Sequence, residues 1–250
     1  MSMSMITPAL FLSNIVPNRS NELGIPTRSI DFEASSSQYL SMSDTNFGAF
    51  DRDKGTFSYW DKVESFTSTN AITQSVSSNF CFALGFDAGG NLRFDVSTNG
   101  TSFNGSLVTT ATYSTGTWYH IKALYDMQNA TAGNRMRLWV NGSEISSFSL
   151  DSNPPQTSLF NSTAAIEIGR NADESSAYHD GKIFQPAYFS AVDAPIGQLI
   201  SGGSPVDVRG VSGLYSLLHT TAASTLEDDY VLPTNWNNNN AAIKSTDVPA

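Results

Sequence analysis

The sequence contains few charged residues, a single cysteine and no cluster of lysines and arginines. Charged residues make up 14% of its 250 residues, against about a quarter in a typical domain, and the net charge is −10. Because a nucleic-acid-binding protein needs a basic stripe to displace counterions, we expect no nucleic acid among the partners. Cys81 stands alone, which excludes an intrachain disulfide and a zinc site built on cysteines.

Long apolar runs are absent as well. No stretch of the sequence approaches the roughly 20 apolar residues that cross a bilayer, so we expect no membrane insertion. Abundant serine, threonine and asparagine give a surface solvated by hydroxyls and amides rather than by ions. Such a surface suits an extracellular or virion-exposed β-protein.

The familiar catalytic motifs are missing too. The sequence has no H-E-x-x-H, G-x-S-x-G or phosphate-loop pattern, and its three histidines are far apart. A glycosidase needs two carboxyl groups about 5 to 10 Å apart, but the acidic run at 227–229 is consecutive and cannot share one strand face. We therefore expect the protein not to be an enzyme, with a degenerate glycoside hydrolase as the least favoured alternative.

What the sequence does contain is period-two alternation, the pattern of half-buried β-strands. Phe82, Leu84 and Phe86 alternate with smaller or polar residues, and a Gly89-Gly90 turn leads to a second alternating run at 92–96. Residues 136–140 alternate in the same way. They end at Asn141-Gly142, which supplies the two positive φ angles of a type I′ turn.

Further strands are predicted at 29–34, 38–41, 56–63, 107–113, 118–126, 165–169, 182–190 and 213–218. A short helix is predicted at 194–200, capped by Asp193 and opened by Pro195. A dozen short strands joined by polar turns indicate an all-β, two-sheet antiparallel sandwich with one short helix. We divide the chain into an N-terminal arm at 1–28, a domain at 29–218 and a polar C-terminal tail at 219–250 that packs on the domain or on a neighbour.

Two of these segments carry a family resemblance. Trp118-Tyr119-His120-Ile121, followed by Leu138-Trp139-Val140-Asn141-Gly142, resembles the tryptophan strand and Asn-Gly hairpin of laminin G-like domains in the concanavalin A-like lectin/glucanase superfamily. Matching pieces occur in the family's order: IDFE at 30–33, QYL at 38–40, FSYW at 57–60, IEIG at 166–169 and DGKI at 180–183. The closing segment at 213–238 resembles tails found on such domains in tailed-phage structural proteins.

The resemblance implies a jelly-roll fold, but members of the superfamily include lectins, glycan hydrolases, adhesion modules and virion decorations. It also implies calcium as the usual metal, held by loop carboxylates. Candidate ligands are Asp126, Asp173 and Asp180, although solvated loop acids are the competing interpretation.

A glycan site would use an aromatic platform flanked by polar side chains. Trp139 lies on the strand face opposite Leu138, beside Arg137, and could form such a platform; the alternative is that both faces are partly covered and Trp139 packs against the facing strand. Tyr178 and His179, in a predicted loop, are the other candidates for ligand contact.

The first functional hypothesis is a virion structural protein, a capsid decoration or tail-associated module on the virion surface. Its partners would be coat or tail proteins, and it would form a homo-oligomer. The alternative hypothesis is an extracellular lectin-like module that binds a cell-surface glycan.

Overall fold

The computed structural model describes residues 26–48, 50–66, 69–76, 79–171, 177–217 and 236–250. These residues form two eight-stranded antiparallel sheets, as the sequence predicts, and a small two-stranded ribbon. Sheet A runs β10-β9-β8-β3-β13-β1-β18, with β16 also paired to β13, and sheet B runs β11-β7-β6-β5-β4-β12-β2-β17.

The strands are numbered in the order in which they occur along the chain. Their bounds are β1 Ser29–Phe32, β2 Tyr39–Met42, β3 Lys54–Val63, β4 Thr69–Gln74, β5 Phe82–Phe86, β6 Asn91–Val96, β7 Gly105–Thr112, β8 Tyr119–Asp126, β9 Met136–Val140, β10 Ser143–Glu144, β11 Phe148–Ser152, β12 Ile166–Ile168, β13 Gly181–Ser190, β14 Ile200–Ser201, β15 Ser204–Pro205, β16 Leu214–Leu217, β17 Asn237–Asn239 and β18 Ile243–Ser245.

The main core lies between the sheets and is built by the alternation read from the sequence. Phe57 and Tyr59 of β3 face Phe82 and Leu84 of β5, and all four are at most 2% exposed. The rings of Phe57 and Phe82 lie 4.7 Å apart, within the range of favourable aromatic contacts. Burial of these apolar faces is what holds the two sheets together.

The Asn141-Gly142 hairpin has the predicted geometry. Asn141 and Gly142 have φ angles of 49° and 84°, the left-handed values that a type I′ turn requires. The side chain of Asn141 also accepts a hydrogen bond of 2.8 Å from the backbone N–H of His120, which ties the turn to β8. Strand β9 has the predicted bounds, so this part of the sequence prediction is confirmed.

The outer face of sheet A is covered by the chain itself. One apolar cluster joins Phe189 of β13 to Ala194, Leu199 and Val208 in the segment that follows, and a second joins Trp60 and Phe184 to Ile200. Lys122 and His120 on this face are also buried. Sheet A is therefore buried on both faces over most of its area.

The helices differ from the prediction. The segment at 194–200 forms only a three-residue 3-10 helix, Ile196–Gln198, because Pro195 keeps an extended ψ of 131° and starts the turn one residue later. A short α-helix, α1, that the sequence did not reveal spans Asp44–Phe47, and Ser43 caps it by accepting the N–H of Asn46. None of the helices within the described ranges is long and apolar enough to cross a membrane.

Strand β5 also departs from expectation. All five of its residues are buried, whereas the alternation predicted one largely polar face. The intervening residues, Ala83 and Gly85, are small and apolar, and strands β4 and β6 flank β5 on both sides. Its outward face is consequently screened by its neighbours.

The predicted polar tail completes both sheets. Its described part, residues 236–250, places β17 beside β2 at the edge of sheet B and β18 beside β1 at the edge of sheet A. Trp236 is 3% exposed and packs against Phe47, with ring centroids 6.3 Å apart. The predicted arm at 1–28 lies outside the described residues except for 26–28.

We expect Trp236→Ala to lower the free energy of unfolding by about 3 to 5 kcal/mol, because it leaves a cavity in the main core. Ile243→Ala, in the same hairpin but 58% exposed, is the matched control and should change it by less than about 0.5 kcal/mol. Urea denaturation measures both. Equal effects of the two variants would show that the tail is not part of the core.

Candidate functional site

The predicted platform around Trp139 is closed. Trp139 is 6% exposed, with Lys122 Nζ 4.0 Å and Arg137 Cζ 4.7 Å from its ring centroid. Lys122 pairs with Asp193 at 2.5 Å, and Arg137 forms a two-pronged pair with Glu144. The alternation does place Trp139 on the outer face of sheet A, but the segment that contains Asp193 covers that face. The exposed-platform interpretation is therefore wrong, because Trp139 is buried against Lys122, which lies opposite it on β8.

The side chains of Tyr178 and His179 lie on opposite sides of the backbone. The Arg170–Tyr178 bridge and the hydrogen bond from the His179 N–H to the Gly169 carbonyl keep this segment extended, so successive side chains point in opposite directions. His179 is fully buried, with Nε2 3.1 Å from Oδ1 of Asp61 and its ring edge-on to Phe32. A direct ligand contact by His179 is consequently excluded, whereas Tyr178 is partly exposed.

His120 is a buried residue of β8 with a structural role. It is 1% exposed, and its Nε2 lies 3.0 Å from the hydroxyl oxygen of Ser58. Burial, assisted by the charge of Lys122, lowers the pKa of His120 to about 3, so the ring is neutral near physiological pH.

The proposed calcium ligands do not converge. Asp126 pairs with Lys54 at 3.1 Å beside one end of β3, whereas the Asp180 carbonyl accepts the N–H of Glu64 just beyond the other end. A ten-residue strand is roughly 30 Å long, so Asp126 and Asp180 cannot hold one ion. Asp173 lies outside the described residues. Within the described ranges, no three histidine, cysteine or acidic side chains are grouped closely enough to hold a metal.

Polar side chains instead line the outer face of sheet B. The strand registers place Glu167 opposite Thr73, Thr73 opposite Ala83, Ala83 opposite Asp95 and Asp95 opposite Ser106. This row crosses five strands. It contains two carboxylates that the alternation directs away from the core.

One end of this row forms what we call the tyrosine–arginine site, made of Tyr39, Glu167, Arg170 and Tyr178. The rings of Tyr39 and Tyr178 lie 6.2 Å apart and are inclined by 48°. Arg170 Cζ lies 4.6 Å from the centroid of Tyr39 and 5.8 Å from that of Tyr178. Both tyrosines and the arginine are partly exposed. The guanidinium is thus held in place by two aromatic faces.

Glu167 lies beside this arginine at the centre of β12. It is 6% exposed, and its Oε2 is 3.6 Å from Arg170 Nε without a hydrogen bond between them. Burial raises the pKa of Glu167 to about 7, and the charge of Arg170 offsets this only in part. The carboxyl group is accordingly close to half protonated at neutral pH.

Amides and hydroxyls border the site. Asn239 of β17 donates from Nδ2 to the Ser41 hydroxyl at 3.0 Å, and Asn237 lies opposite Ser41 on the same edge. The Thr73 hydroxyl donates to the Arg170 carbonyl at 2.9 Å, which fixes the backbone that carries the arginine. The C-terminal tail therefore contributes to the border of the site.

The two carboxylates of the row are too far apart for paired acid–base chemistry. Glu167 and Asp95 are separated by three strand spacings, roughly 14 Å between their Cα atoms. Asp95 also accepts a hydrogen bond of 2.5 Å from Ser106, and burial raises its pKa. A glycosidase pair would stand about 5 to 10 Å apart.

Of these four residues, the sequence singled out only Tyr178 as a ligand contact. Glu167 was recognisable as the polar residue between Ile166 and Ile168, a pattern that directs it away from the core. The pairing of β2 with β12, which brings Tyr39 to Arg170, is a non-local contact that periodicity does not report.

A comparison with protein-family models assigns the chain to a family. Residues 34–192 match the family model Laminin_G_3, described as belonging to the Concanavalin A-like lectin/glucanases superfamily. A search of curated protein sequences finds no significant match.

Solved structures share the fold at low sequence identity. A proposed carbohydrate binding protein from Bacteroides ovatus is 18% identical with a TM-score of 0.63, covering 90% of this chain and 61% of its own. The SAP-like pentraxin of Limulus polyphemus, a heptamer, is 12% identical with a TM-score of 0.57 over 89% and 96% of the two chains. The NanB sialidase of Streptococcus pneumoniae is 13% identical with a TM-score of 0.50 over 68% and 27%.

We expect Glu167 to make stability depend on pH. Its pKa in the folded chain is raised above the ordinary 4.5, so its contribution to stability is fully present below pH 4.5 and is lost as the pH rises through 7. The stability of Glu167→Gln relative to the natural chain should therefore increase by up to about 3 kcal/mol between pH 4.5 and 8.

Chemical denaturation at several pH values measures this difference. Glu33→Gln, at an exposed position, controls for the loss of one carboxyl group from the chain. A difference between Glu167→Gln and the natural chain that stays constant with pH would contradict the assignment of Glu167 as a buried acid.

Proposed function

Because the chain belongs to the Concanavalin A-like lectin/glucanases superfamily, we propose that it is a carbohydrate-binding module that binds through the tyrosine–arginine site. The observation that carries the proposal is the pair of partly exposed tyrosines, 6.2 Å apart, with Arg170 fixed against them. Sugar rings present C–H groups on their faces and hydroxyls around their rims. Aromatic faces bind the C–H groups, and polar side chains bind the hydroxyls.

The border of the site matches this chemistry. Arg170 supplies donors in a rigid fork, while Asn237, Asn239 and Ser41 supply amide and hydroxyl groups that both donate and accept. Asn237, Asn239 and Ser41 stand on paired strands, and the Arg170 backbone pairs with Tyr178 in an isolated bridge. These pairings hold the groups in place before a ligand arrives. Preorganisation of this kind reduces the entropy that binding costs.

The structural neighbours support the proposal at the level of the fold. The Bacteroides ovatus protein is described as carbohydrate binding, and this chain spans 61% of its length. Its likeness to this chain is one of fold. The binding residues of the present chain are argued from its own geometry.

We propose further that the module is not an enzyme. The separation of Glu167 from Asp95 supports this, because these two carboxyl groups stand farther apart than the pair that hydrolysis of a glycosidic bond requires.

A virion-surface location, coat or tail protein partners and a homo-oligomeric state stay predictions of the sequence. Glycan binding is preferred to a virion role because it rests on a site whose residues and distances are described. An extracellular location, the alternative given by the sequence, is where a cell-surface glycan would be met.

We expect Tyr39→Ala and Tyr178→Ala each to weaken glycan binding about ten-fold or more, because each removes one face of the platform. A glycan array identifies a ligand for the natural chain, and titration calorimetry then compares the variants. Leu150→Ala, exposed at the far edge of sheet B, is the control and should bind normally. Full binding by both tyrosine variants would place the site elsewhere.

A further inference from the structure

We infer that the tyrosine–arginine site takes an acidic sugar, one that carries a carboxylate, and that Arg170 holds this carboxylate. The inference rests on the proposed function and adds the chemical class of the ligand. It concerns Arg170, whose positive charge is only partly compensated by the described residues around it.

The guanidinium of Arg170 has N–H donors that make no hydrogen bond to a described residue. Its Nε is buried without a hydrogen-bond partner, and the structure gives its terminal nitrogens no hydrogen bond to any described residue. Other arginines show the contrast: Arg137 binds both oxygens of Glu144, and Arg135 donates to two backbone carbonyls. Arg170 instead combines open donors with a fixed position on two aromatic rings.

The charge of Arg170 is also poorly compensated. Its one ion-pair contact among the described residues is Glu167 at 3.6 Å, too long for a hydrogen bond. Because burial raises the pKa of Glu167 to about 7, this carboxyl group carries only part of a negative charge near neutrality. A partly buried cation whose counterion is only partly charged favours the binding of an anionic ligand from solution.

The geometry suits a planar anion in particular. A guanidinium offers parallel N–H groups that a carboxylate can accept two at a time, and such pairs are stronger and more directional than hydrogen bonds to a neutral hydroxyl. The rings of Tyr39 and Tyr178 beside it would receive the face of the sugar that bears the carboxylate. The amides of Asn237 and Asn239 lie along the same edge of the sheet for the remaining hydroxyls.

The experiment uses the full chain and a glycan array printed with matched pairs, in which each carboxylated glycan stands beside its methyl ester. Methyl esterification removes the charge and leaves the sugar ring unchanged. We expect the natural chain to bind carboxylated glycans at least about ten-fold more strongly than their esters. Arg170→Gln should abolish this preference, and Arg170→Lys should retain part of it because the charge remains but the fork is lost.

Arg93→Gln is the control, since Arg93 lies on the same face of sheet B but three strands away and should leave the preference unchanged. Thermal denaturation of each variant confirms that it is folded. Equal binding of acids and esters, with both still dependent on Tyr39, would overturn the inference and leave the proposed function standing. Binding of no glycan at all would overturn both.

Discussion

The outer face of sheet A is covered by the chain's own residues. The pairing of polar groups on that face and the position of the accessible surface both depend on this cover. After β13 the chain folds back across that face. This segment buries Phe184 and Phe189 of β13, and its own Ile200 packs beside Phe184. Two buried polar side chains on this face have partners within the protein: Lys122 pairs with Asp193, and His120 lies at hydrogen-bond distance from Ser58. A ligand can no longer reach Trp139, and the outward residues of sheet B become the available surface.

The same principle of paired polar groups distinguishes the two faces. On sheet A the charged groups around Trp139 are matched at hydrogen-bond distance, so that region is stable and chemically closed. On sheet B the Glu167–Arg170 pair is longer and leaves a buried oxygen and a buried nitrogen without hydrogen bonds. Groups left unsatisfied in this way cost stability, and a protein tolerates them most readily where a ligand completes them.

The sequence predicted well what depends on neighbours along the chain. The β5–β6 and β9–β10 hairpins follow from alternation and turn residues. Predictions that depended on distant parts of the chain were less successful. Alternation gave the correct face for Trp139 but not the segment that covers it. It also could not show that Tyr178 pairs with Arg170, which turns the next side chain, His179, into the core. The pairing of the C-terminal residues with β1 and β2 was likewise beyond reach, because it joins residues about two hundred positions apart.

The central claim is that carbohydrate binds on the outer face of sheet B at the tyrosine–arginine site. Chemical-shift mapping by two-dimensional ¹H–¹⁵N NMR during titration with a glycan ligand tests it most directly, because it reports the location of binding without altering the protein. We expect the largest shifts at backbone amides of β2, β12 and β17 and at Arg170 and Tyr178. Shifts concentrated on β8 and β9 around Trp139, with the amides of β2 and β12 unchanged, would contradict it.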